Sequence, residues 1–406
     1  MTEVGKRVLF GLLVALVIVS GALARGSSTP GVTSKQILIG GTTPLTGRAS
    51  SYASIARAAD AYFKYVNAHG GVYGRSVKYK YVDEGYDPSQ TIQRTRELVQ
   101  DDKVFAIFNT LGTETNLAIR SYLNQLKVPQ LFVASGASTW GSDYKKYPWT
   151  IGYQPTYRAE GVIYGRYVAK TAPRARIGVL YQNDDYGKEL LAGLERGLGK
   201  KKSLIVAKQS YDATDTDVKS QLARLKSKRV NTLMLFALPL YAIQSYTYSR
   251  QLDWKPRFFV NAVSSAANVM SVASIASSRR QTEGSISIVF LKDPTDPRWA
   301  RDPAVRLFRT VLKKYNHGKG LKDVYSVYGM SAAFTLVDAL RHAGKNLTRA
   351  SVMRAATHLN ERANPFVLPG VVVRTAPDDR FPLAQAKLER YHNGRWVYFG
   401  RLVSVR

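Results

Sequence analysis

Three stretches of the chain combine glycine with short hydroxyl side chains: Gly41-Thr-Thr-Pro-Leu-Thr-Gly47, Asn109-Thr-Leu-Gly-Thr113 and Ser135-Gly-Ala-Ser138. Backbone N–H groups and hydroxyls gathered in this way can hold a carboxylate without a full counter-charge, above all where a helix begins and its first amides lack partners. Each stretch could equally be an ordinary strand-to-helix loop whose Ser or Thr caps the next helix. None ends in Gly-Lys-Ser/Thr or keeps an intact Gly-x-Gly-x-x-Gly, so a nucleotide loop is not indicated. Covalent chemistry finds little support. His69, His317, His342, His358 and His392 fall in no metal-ligand spacing, and no Gly-x-Ser-x-Gly occurs. Asp184 and Asp185 are adjacent, neighbouring side chains diverge on most backbones, and Asp-Asp-Tyr-Gly also reads as a turn entering a helix. No catalytic set, metal site or cofactor is assigned, and the chain reads as a binder rather than an enzyme.

The elements that must position these loops alternate between strand and helix. Short apolar runs at Gln36–Gly40, Val77–Val82, Val104–Phe108 and Gln130–Ala134 are separated by helical periodicity, as in Ala53, Ala56, Ala59, Phe63 and Val66. After a Tyr-, Pro- and Lys-rich break over Asp143–Gln154 the rhythm restarts. Strands are expected at Ile177–Tyr181, Leu204–Ser210, Thr232–Ala237 and Phe258–Asn261, with helices between. Strands of this length joined by helical crossovers predict an α/β fold of two units with parallel sheets covered on both faces. Ligands in such sheets bind beyond the carboxyl ends of the strands. Near the C-terminus Asn393-Gly394 separates two further apolar runs and predicts a hairpin.

Composition narrows the setting. The chain has 406 residues and no cysteine, which excludes disulfides, thiol catalysis and a lipidated N-terminal cysteine. Lys and Arg number 59 against 29 Asp and Glu, a net charge of +30. Residues 1–24 place Lys6 and Arg7 before an apolar run from Val8 to Val19 and end in Ala22-Leu23-Ala24, the layout of a cleaved secretory signal. The run is shorter than the roughly twenty residues that span a bilayer. The expectation is a free periplasmic protein, not a lipoprotein, with no nucleic-acid partner.

In order and spacing, Asn67-Ala-His-Gly-Gly-Val-Tyr-Gly-Arg75, Asp83 through Asp87-Pro88, Phe105-Ala-Ile-Phe-Asn-Thr-Leu-Gly-Thr113, Val128-Pro129, Leu180-Tyr-Gln-Asn-Asp-Asp-Tyr-Gly187 and Trp254-Lys-Pro256 resemble the branched-chain amino-acid/amide-type periplasmic solute-binding proteins of ABC importers. The resemblance implies a type I periplasmic-binding-protein fold, in which two Rossmann-like lobes joined by three crossover strands close on a ligand. It places residues 33–152 plus 288–365 in the first lobe and 153–284 plus 370–406 in the second. The crossings fall near Gly152–Pro155, Gly284–Ile288 and Leu368–Val373. It also implies a monomer that works with a permease and its nucleotide-binding subunits.

The same resemblance sets first-lobe ligand contacts at Leu45, Thr46 and Gly47, at Leu111, Gly112 and Thr113, and at Ser135, Gly136, Ala137 and Ser138. Second-lobe contacts are expected from Tyr157, Asp184, Tyr241, Ala262 and Val263. Amino-acid binders pair the ligand's ammonium with a second-lobe acid. Here the loops Leu238-Pro-Leu-Tyr241 and Ala262-Val-Ser-Ser-Ala266 contain none. A buried ammonium without a partner costs several kcal/mol, so the favoured ligand is an aromatic or other amine-free carboxylate. Branched-chain amino acids, amides or urea stand as the alternative ligands, and ligand sensing as the alternative to transport.

Overall fold

The computed structural model describes residues 29–404, so the expected leader over residues 1–24 lies outside the described chain. The first apolar run becomes β1 (Gln36–Thr43), whose Ile37 and Ile39 are fully buried. It pairs with β2 (Ser76–Asp83) on one side and β3 (Ile107–Phe108) on the other; β4 (Gln130–Val133) and β5 (Thr150–Gly152) complete a sheet of order β2-β1-β3-β4-β5. Every pairing in it is parallel, which obliges the chain to cross over between strands and puts helices on the faces. Sequence periodicity passed over β5, because three residues within the irregular 143–154 stretch carry no readable alternation.

A second sheet takes β6 (Ile177–Gln182), β7 (Ile205–Tyr211), β8 (Thr232–Phe236), β9 (Arg257–Val260) and β10 (Ile286–Val289), again in parallel. A small antiparallel pair, β11 (Asn360–Glu361) with β12 (Val373–Arg374), follows. The hairpin β13 (Gln385–His392) and β14 (Arg395–Ser404) then extends the second sheet to the order β14-β13-β10-β9-β8-β6-β7. Its turn is Asn393-Gly394, both at positive φ (50° and 78°), the backbone that a two-residue hairpin loop requires. The protein is thus the expected two-lobed α/β fold with parallel sheets.

The two later crossings differ in place from the sequence expectation. Leaving β5, the chain is pinned by Tyr153, whose buried hydroxyl bonds Thr335 Oγ1 at 2.7 Å beside Ser331 and Asn364. The second crossing follows β10 rather than lying at Gly284–Ile288: Ile286 is still paired with Phe259, and only at 290–292 does the chain turn back. There Lys292 donates to Phe366 O and Leu368 to Phe290 O, each at 2.9 Å. After Leu368 the chain stays on the first lobe's side, since β12 pairs β11 in a sheet of their own and Arg380 Nη1 donates to Pro148 O at 2.8 Å. Residues 373–382 therefore sit on the first lobe's side, and the chain enters the larger sheet at Gln385, not at 370. The Val371–Val373 run is apolar enough for either sheet, so composition alone could not choose.

Close backbone approach sets the geometry of the second lobe's cleft wall. The helices Tyr157–Thr171 and Asp185–Leu198 carry Gly161 and Gly165 against Gly193 and Gly197. A methyl added to Gly161 would lie 2.2 Å from Leu190 O, and one on Gly193 would lie 2.3 Å from Arg158 O. The two helices touch main chain to main chain, and each begins at the cleft with a tyrosine. In the first lobe the helix Val324–His342 packs as closely on Ala53–Ala68, with Gly329 facing Ile55 O.

Candidate ligand-binding cleft

The carboxyl ends of both sheets face each other across a cavity of about 80 Å³. Its walls carry eight rings: Tyr52, Tyr86, Tyr325 and Tyr328 from the first lobe, Tyr157, Tyr186 and Trp396 from the second, and Phe290 from the crossing. Tyr157 and Tyr186 lie against each other with ring centres 4.9 Å apart, a spacing set by the glycine-packed helices behind them. Lys, Arg and His are absent from the residues that line it.

One corner joins a helix start to a pair of hydroxyls. Gly112 lines the cavity and precedes the helix Thr113–Gln125, which has no side-chain cap. The Gly112 amide is spent on Ala134 O at 3.2 Å, while the helix's first-turn amides have no intrahelical acceptor. Gly112 stands at φ +102°, and a methyl there would come within 2.5 Å of Thr115 Oγ1 and 2.8 Å of the Tyr86 ring. Beside it the hydroxyls of Thr113 and Ser135, both buried, share a hydrogen bond of 2.8 Å. Tyr157 closes this corner from the other lobe, its amide donating to Gly136 O at 2.7 Å.

Of the expected contacts, Leu111, Gly112, Tyr157, Ala262 and Val263 line the cavity. Thr113, Ser135, Gly136 and Ala137 form the layer directly behind, with Ser135 Oγ accepting the Ala137 amide. The others are elsewhere. Leu45, Thr46 and Gly47 are drawn away because Asp83 accepts the Leu45 amide at 2.8 Å and the Thr46 hydroxyl at 2.5 Å. Ser138 gives its amide and hydroxyl to Glu189 of the second lobe, so it latches the lobes rather than facing the cavity. Asp184 is the N-cap of its helix, accepting the Gly187 amide and the Gln182 amide group. Tyr241 is fully buried, its hydroxyl donating to Ala213 O at 2.9 Å and Asp215 O at 2.7 Å.

Those last bonds belong to a second latch, because Arg48 of the first lobe donates to Thr214 O and Asp215 O at 2.8 and 2.7 Å. A third is made by the hydroxyls of Tyr52 and Tyr325, which both donate to Val263 O, at 2.9 and 2.7 Å. The lobes are closed on each other.

Sequence reasoning missed the acids of the wall. No second-lobe loop supplies one, as expected, yet Glu160 lines the cavity from a helix, Glu389 from β13, and Asp293 from the second crossing. Burial pushes Glu160 up to about 7, against the Tyr164 hydroxyl and Ala262 amide that both bond its Oε1 at 2.7 Å. Burial likewise raises Asp293 and, far more, Glu389. Spacing could have found Glu160, which lies one helical turn from Tyr157 on the same face.

Buried acids elsewhere share this shift: burial pushes Glu84 and Glu361 up to about 7, and Asp184 and Asp323 up to about 6. In the folded chain these groups hold protons that the unfolded chain releases near pH 4, so stability falls as pH rises from about 4.5 through 7. The expected result is a melting temperature several degrees higher at pH 5.5 than at pH 8; a flat or opposite profile would show that these carboxyls are solvated in the native state.

Comparison with known proteins fits this geometry. Leu/Ile/Val-binding protein homolog 2 of Brucella abortus is 23% identical over 375 residues, spanning 91% of this chain and 95% of the relative. The crystal structure of a branched chain amino acid ABC transporter from Thermus thermophilus with bound valine superposes with a TM-score of 0.79 at 18% identity, covering 92% of this chain and 98% of that one. A solute binding protein of an ABC transporter from R. palustris, in complex with benzoate, gives 0.75 at 16% identity, with 91% and 98% covered. Residues 36–385 match the periplasmic binding protein family, and the chain belongs to that family.

Proposed function

We propose that this chain captures an amine-free carboxylate with an aromatic or other apolar body between its lobes and delivers it to an ABC importer. The family consists of solute-binding proteins rather than enzymes. The observation that carries the ligand class is the uncapped helix start at Gly112, with the Thr113–Ser135 hydroxyl pair beside it, opening onto a wall of rings without a basic side chain. Helix amides and hydroxyls suit a carboxylate, and stacked rings suit a planar or hydrocarbon body. The benzoate-bound relative shows that this fold admits such a ligand. Closure excludes water, and the ligand shifts the open–closed balance by its greater affinity for the closed form. No covalent step is involved, and a permease with its nucleotide-binding subunits receives the closed monomer.

Glu160 supports a second reading, an α-amino acid whose ammonium draws that carboxyl into its ionised form, in line with the valine-bound relative. A thermal-shift screen of the chain from residue 25 against benzoates, hydroxycinnamates, dicarboxylates, amino acids and urea separates the two. Amine-free acids are expected to stabilise the chain, and Ser135→Ala to weaken their binding about tenfold through loss of a buried hydroxyl. A response confined to amino acids, removed by Glu160→Gln, would replace the first reading by the second.

A further inference from the structure

A net +12 of the chain's +30 charge falls in one place. The parallel strands of the second sheet all begin at the end of that lobe farthest from the cleft, and five connecting segments meet there: residues 170–176, 199–204, 226–231, 250–257 and 278–284. Their convergence is fixed by hydrogen bonds. The Arg176 amide donates to Asn231 Oδ1 at 2.9 Å, Arg257 N to Asn231 O at 2.8 Å, Lys201 Nζ to Ala169 O at 2.6 Å and Gln281 Nε2 to Trp254 O at 2.8 Å. The five segments carry fourteen Lys and Arg against two acids, Asp253 and Glu283. Every one of the fourteen is exposed. Glu283 is turned to the hairpin, where it accepts from His392 and from the Asn393 amide.

Helix-end chemistry accounts for a part of this. Four helices finish at this pole, and cations near helix C-termini are favourable. Only Lys201, Arg176 and Lys226 donate to main-chain carbonyls there. Among the described residues none of the fourteen forms an ion pair. Ligand steering does not account for the rest. The six residues of β6 put the pole about 20 Å from the cleft at ~3.3 Å per residue, beyond the screening length of about 10 Å at 0.1 M salt.

We infer that this pole is a docking surface for an anionic phospholipid bilayer, holding the receptor at the membrane with its cleft free. Charge complementarity argues for the bilayer: unpaired cations spread over a surface lose their self-repulsion against a negative sheet, and each basic residue near such a surface adds to adhesion. The contact adds to the one made through a permease and does not depend on the ligand class.

The test is co-sedimentation of residues 25–406, which include every described residue, with vesicles of phosphatidylcholine plus phosphatidylglycerol and of phosphatidylcholine alone. Binding is expected to the first only and to fall steeply with salt. Lys200→Glu, Lys202→Glu and Lys228→Glu together, three exposed side chains without a hydrogen-bonding role, should weaken it about tenfold or more. The same charge change at Lys313, Lys319 and Lys322 on the first lobe should leave it within about twofold. Equal loss from both triples, no vesicle binding, or binding to duplex DNA without binding to vesicles would overturn the inference.

Discussion

Replacing Gly112 with valine is expected to reduce ligand affinity about a hundredfold, whatever carboxylate the screen identifies. Gly112 holds φ +102°, which a β-branched residue reaches only with strain of order 1–3 kcal/mol. The new side chain would also meet Thr115 Oγ1 and the Tyr86 ring, the nearest atoms to a methyl there. Relief must come from moving either the helix start or the Tyr86 wall, and both face the corner proposed to hold the carboxylate. About 2.7 kcal/mol is a hundredfold in affinity, and strain plus lost contacts reach that figure. Calorimetric titration of the variant with the ligand that stabilises the unmutated chain checks it. Retained affinity would mean that the ligand's anionic end sits away from this helix.

Gly193→Val is expected to destabilise the protein by about 3 kcal/mol and to lower the melting temperature by about 4 °C. The added atoms would fall on Arg158 O, a main-chain atom with no rotamer to change. The two helices must separate, and with them Tyr157 and Tyr186, so ligand affinity should fall alongside stability. Urea unfolding with and without ligand measures both. A variant with unchanged midpoint would show that the helices do not touch as described.

How far these features were legible in the sequence depended on whether their causes were local. The position of Leu111 and Gly112 on the cavity wall, with Ser135 behind it, was readable because glycine and hydroxyls at a strand-to-helix turn act through their own backbone. The same composition at Leu45, Thr46 and Gly47 misled, since Asp83, a distant residue, claims that loop's amide and hydroxyl. Tyr241 was assigned to the cleft from the family resemblance, yet its hydroxyl is consumed by main-chain carbonyls on the loop that follows β7. Glu160 and Glu389 escaped because only loops were searched for acids, while these two project from a helix and from the hairpin strand that joins the sheet last. The Gly161–Gly165 and Gly193–Gly197 pairs were present as a four-residue spacing and went unread, though small residues so spaced permit main-chain contact between helices.

The helix Val324–His342 lies across Ala53–Ala68, yet it is made only after all five parallel strands of the other lobe. Until it arrives, Ile55 lacks its neighbour Gly329 and Tyr62 lacks its neighbour Phe334. The half that is synthesised first is therefore completed last, by a long-range closure that must wait for the intervening lobe to be made. Such non-local pairing is slow, and it leaves an unfinished, sticky early half as the form that chaperones would hold.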